Sequence, residues 1–512
     1  MDLEKIVYQN LESIVGPDYA TNDPAILEAY SKQPWPHGIL LRRRPFAVVI
    51  PSCAEEIQSI YRVANRYKYI VIPAGNYNWD VPTKPNTIVI DPKRMNKIID
   101  IDEKNMFAVI QPGVTHAQLN TEAMKRGLIS NTTGGGGPTS VIANSLFLGM
   151  GGFVYRLGMD KTILAAEWVL PTGELLTTGA QAVKNATPFW YEGTGPDLRG
   201  IMRAYLGLLG GFGMATQMSI KLCPWPGPKT FPVTGISSEY KAAIPPDLFS
   251  FHLIQFDTLE KLVDGTYEIG RAEIGGAMQR IPPLCMVFNS TTSKEELWKE
   301  WETGYYQKEA EYLIGIWLVG FSCKEQLAFE EKVLQQIIDE TEGKDIPADH
   351  RLFKCIESWI GEWFRSGALG RCMRPAGSHA LMNMASESLD HAAKVFADGH
   401  TVRKEYPYHK DFFDADYDWI GPTDFGWYAH LEVPFFMEQT EDNMKKAAEM
   451  SGLGVQSAVE KKVHTAIHIA PTNPIIGPVY GNYHLLLKEI KKVLDPNNIS
   501  NPPNPISIEE EG

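Results

Sequence analysis

Cysteine is scarce in these 512 residues, and the six present (Cys53, Cys223, Cys285, Cys323, Cys355 and Cys372) form no CxxC pair and no zinc spacing. That argues against iron–sulfur and structural zinc sites, predicts no metal, and leaves buried free thiols in a reducing, cytoplasmic setting as the expectation. Basic charge is also short. With 48 Lys and Arg against 62 Asp and Glu, the net charge is -14, which argues against nucleic acid and against an acidic membrane surface as partner. No apolar run approaches the length of a membrane span. The opening MDLEKIVYQNLESIVG is an acidic amphipathic helical pattern without the basic n-region or long apolar h-region of a secretory leader. Repeats and low-complexity segments are missing too. The 44% hydrophobic content supports a large core in two domains, or in one domain with a large insertion. Small molecules and protein partners remain.

Glycine is locally abundant. In NTTGGGGPTSVIANSLFLGMGGFVYRLGMD, Gly134, Gly135, Gly136 and Gly137 run into Pro138, Thr139 and Ser140. Backbone N–H groups there can turn toward an anion without interference from Cβ, and a pyrophosphate is the natural guest. The small residues that follow, including Asn144, let backbone lie flat against a rigid planar ligand. A ligand-free flexible loop is the alternative.

Along the chain, FAVVI reads as a buried strand, Ala54 to Tyr67 as a helix, and YIVIPAGNYNWD as a strand ending in a turn. Further strands at 86–91 and 107–111, the second followed by a helix, make an alternation that indicates an α/β domain. AAEWVLPTGELLTTG reads as two strands joined by a Pro-Thr-Gly turn. The proline density at Pro224 to Pro228 marks a domain boundary. Beyond it, Tyr312 to Phe321, Trp427 to Phe435 and Lys462 to Ile469 read as strands and Lys324 to Thr341 as a helix. The last helix stops at Asp495-Pro496.

Six segments in order, IPAGNYNWD, NTIVIDPKRMNKIIDIDEKNMFAVIQPGVTHAQLN, TSVIANSLFLGMGGFVYRLG, WVLPTGELLTTG, GGFGMATQMSIKLCPWP and VLDPNNISNPP, resemble the FAD-linked oxidoreductases of the vanillyl-alcohol oxidase and 4-cresol methylhydroxylase family. The resemblance implies an α+β chain: a PCMH-type FAD-binding domain of two α/β subdomains (1–228), an α+β cap with an antiparallel sheet that covers substrate (229–469), and a C-terminal return to the FAD domain (470–512).

It also implies site residues. Pro73, Ala74, Gly75, Asn76, Tyr77, Asn78 and Trp79 stand at the family's first pyrophosphate loop, although only Gly75 remains of its usual glycines. Gly134 to Ser140 with Asn144 match a second cofactor stretch. Gly211, Gly213 and Met214 match a third, for which close packing of strand against turn is the other reading. Asp160, offset by one residue, is the counterpart of an acid beside the flavin N5, and Tyr155 lies within the same segment. His379 stands where relatives attach flavin covalently; a packed, hydrogen-bonded histidine is the alternative. In VHTAIHIA, His464 replaces an arginine expected to face flavin N1, with His468 on the same strand face. On GWYAHLEVPF, Tyr428, His430 and Glu432 share one face, lining a cavity or facing solvent.

The expected function is FAD-dependent oxidation of a small organic substrate, aromatic or hydroxylated. Hydride passes to flavin N5 and electrons then pass to oxygen or a protein acceptor. A D-2-hydroxy-acid dehydrogenase is the runner-up, although its metal-binding histidine segment is missing. A non-catalytic electron-transfer or binding subunit is the third reading. A homo-oligomer or a place in a larger complex is expected.

Overall fold

The computed structural model describes residues 2–31, 43–74, 83–131, 136–147, 155–158, 161–179, 184, 198–203, 208–235, 241–244, 247–357, 360–364, 379–408, 416, 418–438, 440–462 and 473–508. The first sheet holds β1 (Ala20–Thr21), β2 (Ala47–Val49), β3 (Ile70–Pro73) and β4 (Thr87–Ile90) in the order β1-β2-β4-β3, with β2, β4 and β3 parallel. Their unbroken Val and Ile runs suit strands covered on both faces. The helix Ala54–Tyr67 lays Ile57, Ile60, Tyr61 and Ala64 on this sheet beside Val7 and Leu11 of the helix Leu3–Val15.

The second sheet differs from the first in strand direction. Its strands, β5 (Ile98–Asp102), β6 (Phe107–Ile110), β7 (Leu128–Ser130), β8 (Ile163–Val169), β9 (Leu175–Thr178) and β10 (Met214–Pro224), pair antiparallel throughout. The reason is connection length. A parallel pair needs a crossover of about a dozen residues, whereas β5 to β6 and β8 to β9 are joined by short turns, the latter the Pro-Thr-Gly turn read from sequence.

After the small ribbon β11 (Val233–Thr234) and β12 (Lys241–Ala242), two antiparallel sheets follow. One is β13 (Phe249–Gln255), β14 (Ala277–Arg280), β15 (Leu313–Val319) and β16 (Lys344–Asp345), ordered β14-β15-β13-β16. The other is β17 (His379–Glu387), β18 (Trp419–Thr423) and β19 (Tyr428–Phe436), ordered β17-β19-β18. β14 lies alongside β18, so the two continue as one seven-stranded layer. Its outer face is covered by the helices Leu259–Arg271, Lys324–Glu340, Leu389–Glu405 and Glu441–Glu460. Its inner face carries Phe249, Leu253, Ala277, Trp317 and Phe436, which share a core with Met124, Ile129 and Trp225 of the N-terminal half. Trp225, just past β10, stacks within 5.3 Å of Phe249 and 5.1 Å of Phe364.

The C-terminal segment packs back on the N-terminal half. Val71 of β3 donates to Ile499 O at 2.8 Å and accepts from Asn501 N at 3.0 Å. The fully buried Lys491 ammonium reaches Gly211 O at 2.5 Å, Asp495 Oδ2 at 2.7 Å and Ser500 O at 2.8 Å. A buried cation persists only when paired in this way. No described helix is long and apolar enough to cross a membrane.

Candidate active site

The glycine stretch is described from Gly136 onward. Gly136 has φ +94°, a left-handed conformation that glycine adopts without strain. The polar side chains after it are turned into the loop itself. Thr139 Oγ1 donates to Gly136 O at 2.8 Å, Ser140 Oγ to Pro112 O at 2.7 Å, and Asn144 Nδ2 to Thr139 Oγ1 and Ser140 O at 2.9 and 2.8 Å. Ala117 N donates to Gly137 O and His116 N to Thr139 O, which ties the loop to the capped start of the helix His116–Met124. Thr139, Ser140 and Asn144 therefore stiffen the loop. Pro138 has no N–H to give. Gly134 and Gly135 lie outside the described residues.

Asn131 brackets this stretch. Its Nδ2 donates to Leu157 O at 2.7 Å, joining the two ends of the glycine-rich run, while its Oδ1 is buried with no hydrogen-bond partner among the described residues. A buried amide oxygen without a donor is costly. An N–H of a flavin ring satisfies it and a phosphate does not, so the residues here fit FAD, with Asn131 and the Gly136 turn among those that would hold it.

Other predicted cofactor contacts read differently. Ala74 N is already bonded to Ile90 O at 2.8 Å, and Pro73, which has no N–H, closes over Gly210, so neither gives the N–H expected for a pyrophosphate. Gly75, Asn76, Tyr77, Asn78 and Trp79 lie outside the described residues. Gly211 and Gly213 are explained by packing: a Cβ would meet Asn504 O at 2.3 Å on the first and Val169 O at 2.1 Å on the second. Gly211 N goes to Leu208 O and Gly213 N to Ser500 Oγ. Met214 is buried in the first-sheet core.

Tyr155 is corrected as well. It is fully buried, its hydroxyl donates to Ile274 O at 2.5 Å, and its ring sits among Ile254, Met278 and Ile316 in the outer core of the seven-stranded layer. Burial pushes the phenol well above its usual range, so the hydroxyl stays protonated and offers no phenolate base near neutrality. Arg156 reinforces the attachment through Gly275 O at 2.6 Å and Glu330 Oε1 at 3.3 Å.

On β19, Tyr428, His430 and Glu432 lie on the inner face, because Ala429, Leu431, Val433 and Phe435 of opposite parity fill the outer core. His430 is buried and its Nε2 pairs with Glu432 Oε1 at 3.0 Å. Tyr428 is half-buried. His379 opens β17 opposite Phe436, with its side chain outside the described residues, as are Asp160, His464 and His468 altogether. Sequence reading overlooked Gln279, buried on the same inner face, since nothing in GGAMQRIPPL marks it as more than a strand residue.

One group among the described residues has metal-ligand spacing: His400, Asp416 and Asp418. Its carboxylates are occupied. Arg280 holds Asp416 through two bonds of 3.1 and 2.6 Å, and Arg403 holds Asp418 through two of 3.2 and 3.3 Å. The cluster reads as a buried ion-pair network at the β14–β18 seam.

Residues 45–179 match the family model described as FAD binding domain. Among solved structures, p-cresol methylhydroxylase with substrate bound superposes over 100% of this chain and 98% of that one, with TM-score 0.78 at 16% identity. The 4-ethylphenol oxidase of Gulosibacter chungangensis covers 99% and 98% at TM-score 0.77 and 17% identity. In sequence, the chain is 26% identical to D-2-hydroxyglutarate dehydrogenase of Stutzerimonas stutzeri over 299 residues, 56% of this chain and 60% of that protein. The match thus spans less than two thirds of that relative. The chain therefore carries an FAD binding domain at residues 45–179, with FAD as the cofactor of that domain, in a fold shared with p-cresol methylhydroxylase.

Proposed function

We propose that this protein is an FAD-dependent oxidoreductase that removes hydride from a carbon of a small organic substrate and passes electrons to oxygen or a protein acceptor. The observation that supports this most is the FAD-binding domain at residues 45–179, within a fold shared end to end with p-cresol methylhydroxylase. FAD, when bound, supplies the hydride acceptor, and the protein supplies position and electrostatics. In this reading residues 1–228 and 470–512 hold the cofactor and 229–469 cover the substrate. Asn131 and the loop from Gly134 to Gly137 hold the cofactor, together with Gly75 to Trp79. Glu432 fixes the His430 ring, so that a proton leaving a substrate hydroxyl can rest on an imidazolium stabilised by the neighbouring carboxylate. Asp160 faces the reacting carbon and His464 lies beside the flavin N1, both by family resemblance alone, and His379 is the candidate for covalent attachment.

A D-2-hydroxy-acid dehydrogenase is the second reading, favoured by the identity to D-2-hydroxyglutarate dehydrogenase. A reducing, cytoplasmic location is supported by the free thiols of Cys53, Cys223, Cys285, Cys323 and Cys355. The test is a visible spectrum of the purified protein followed by anaerobic addition of alcohols, phenols and 2-hydroxy acids. The expected result is about one FAD per chain, bleached by a member of the panel. A colourless protein that takes up no added FAD would overturn the proposal, and a yellow protein that nothing on the panel reduces would favour an electron-transfer role.

A further inference from the structure

We propose that Ser250, His252 and Asp345 form a second active site on the outer face of the seven-stranded layer, a serine-nucleophile centre that cleaves small carboxylic esters without the flavin. It goes beyond the oxidoreductase reading and does not rest on it.

The three side chains make one hydrogen-bonded chain. Ser250 Oγ lies 3.0 Å from His252 Nε2, and His252 Nδ1 lies 2.8 Å from Asp345 Oδ2. A carboxylate only accepts, so Nδ1 of the neutral ring carries the hydrogen and Nε2 is left to accept from the Ser250 hydroxyl. A serine, a histidine and an aspartate in that order make a nucleophile, a base and its orienter, recognised by geometry and roles and not by sequence position. Both distances fall within the reach of about 2.6–3.2 Å that the arrangement needs. Strand geometry explains how they meet. Ser250 and His252 stand two residues apart on β13 and so share a face, which is the outer one, because Phe249 and Leu253 of opposite parity belong to the inner core. Asp345 is brought alongside by β16, where it stands opposite Ile254. Phe251, between the two, is packed on the inner side against Trp317, Phe353 and Trp363, with ring centroids 5.2, 5.7 and 5.6 Å from its own. The site therefore sits on a strand held from below, and strands place reacting groups more precisely than loops do.

Reactants can reach it. Ser250 is half-buried, and the His252 and Asp345 side chains are 21% and 33% exposed. The cross-strand neighbours Leu318 and Ile316 are buried with Leu327 and Leu334 of the helix Lys324–Glu340, so a substrate enters from the β16 edge and its acyl group must be short. That edge also offers a donor. Leu248 O accepts from Gly320 N and Phe256 N donates to Tyr312 O, so the even-numbered residues of β13 turn toward β15. Phe251 turns its N–H to the opposite edge, where β16 pairs only with Ile254 and Gln255. This N–H, on the residue after the serine, is positioned to meet a developing oxyanion. In the reaction the Ser250 oxygen bonds to the ester carbonyl carbon while its proton passes to His252 Nε2. The bond from that carbon to the alkoxy oxygen then breaks, and the alcohol leaves with the proton. Water repeats both steps on the acyl-serine, which releases the carboxylic acid and restores the hydroxyl. Asp345 keeps the ring in its tautomer and stabilises the imidazolium.

The test treats the FAD-loaded protein with an alkyl fluorophosphonate, a probe for activated serines: the Ser250 oxygen bonds to phosphorus, fluoride leaves, and the proton passes to His252. Mass spectrometry of the intact chain and of its peptides reads the adduct, and hydrolysis of p-nitrophenyl acetate reads turnover. The expected result is about one adduct per chain, on Ser250, with hydrolysis that rises with pH as the His252 ring loses its proton. Ser250→Ala should lose the adduct and slow hydrolysis at least about tenfold. Asp345→Asn, which keeps the shape and favours the other tautomer, should slow labelling at least about a hundredfold while flavin content stays as in wild type. A purely structural ion pair would give no adduct for either variant to lose. No adduct on the wild type, an adduct on another residue, or equal labelling of wild type and Asp345→Asn would each overturn the proposal. Flavin content and flavin reduction are read separately, so none of these outcomes touches the oxidoreductase reading.

Discussion

The Tyr155 hydroxyl donates to the carbonyl of Ile274 at 2.5 Å, deep in the outer core of the seven-stranded layer, 119 residues further along the chain. Tyr155 N also donates to Gly276 O and Tyr155 O accepts from Phe425 N. The residues that follow the glycine-rich run are thus fastened to the seven-stranded layer. Asn131, at the near end of the run, holds Leu157.

Tyr155→Phe tests whether this residue is an anchor or a participant in chemistry. Loss of the hydroxyl leaves Ile274 O without its donor in an apolar core, a cost of about 1–3 kcal/mol. Urea unfolding should show that loss, while flavin content and the pH dependence of flavin reduction stay as in wild type. A normal unfolding midpoint with a large fall in reduction rate would return Tyr155 to the chemistry.

Gly213→Ala separates packing from cofactor contact at the third glycine cluster. Gly213 has φ +101°, and a Cβ would lie 2.1 Å from Val169 O, so both conformation and space oppose any side chain. The variant is expected to lose at least about 3 kcal/mol of stability or to fail to accumulate as soluble protein. A variant of wild-type melting temperature that has lost FAD would show that the glycine serves the cofactor after all.

Much of the fold is legible in the residues. Hydrophobic period and flanking turns give the helix Ala54–Tyr67, the strands around FAVVI and GWYAHLEVPF, and the break after Pro224. Strand direction is less visible, because the alternation of strands and helices does not say whether a strand pairs with its neighbour through a short turn or a crossover. The site is harder still. Gly211 and Gly213 have the composition of a cofactor loop, yet their partners are Asn504 and Val169, the first nearly 300 residues away in sequence. Tyr155 reads as a polar residue near the cofactor until the outer core of the seven-stranded layer closes round it. Gln279 carries no local signal, since only the register of β14 against its neighbours shows that its amide is buried unpaired.

The Arg280–Asp416 pair predicts acid sensitivity at the sheet seam. Burial alone would raise the Asp416 carboxyl, but Arg280, His400 and Arg403 outweigh it and hold the group well below the carboxylate range. A group depressed in the folded state stabilises above its unfolded value of about 3.9 and loses that contribution as pH falls toward the folded value. Arg280→Met strands a buried carboxylate and should cost about 3–5 kcal/mol at pH 7. The deficit should shrink as pH drops below about 4, where protonation neutralises Asp416 in the variant first. Urea titrations of both proteins at pH 7 and at about pH 3 check this, and a deficit that does not change with pH would show that the pair carries no net charge coupling.

His116 gives the prediction that depends on the fewest groups. It is fully buried at the start of the helix His116–Met124, beside the Gly136–Thr139 turn, and neither ring nitrogen has a hydrogen-bond partner among the described residues. Burial alone lowers its pKa from 6.5 to about 3. The unfolded chain therefore binds a proton that the folded chain refuses between those values, so stability from this group is complete above about pH 6.5 and falls as pH drops. Integrating between pH 7 and pH 5 gives a loss of about 2 kcal/mol from this one histidine. His116→Leu removes the titration and two unpaired buried nitrogens while keeping an apolar volume. It should raise stability at pH 7 by about 1 kcal/mol and by about 2 kcal/mol more at pH 5. Other groups titrate alike in both proteins, so their contributions cancel in the difference. Unfolding midpoints measured with excess FAD at the two pH values test the idea, and parallel losses in wild type and variant would mean that the folded protein binds the proton at His116 as readily as the unfolded chain does.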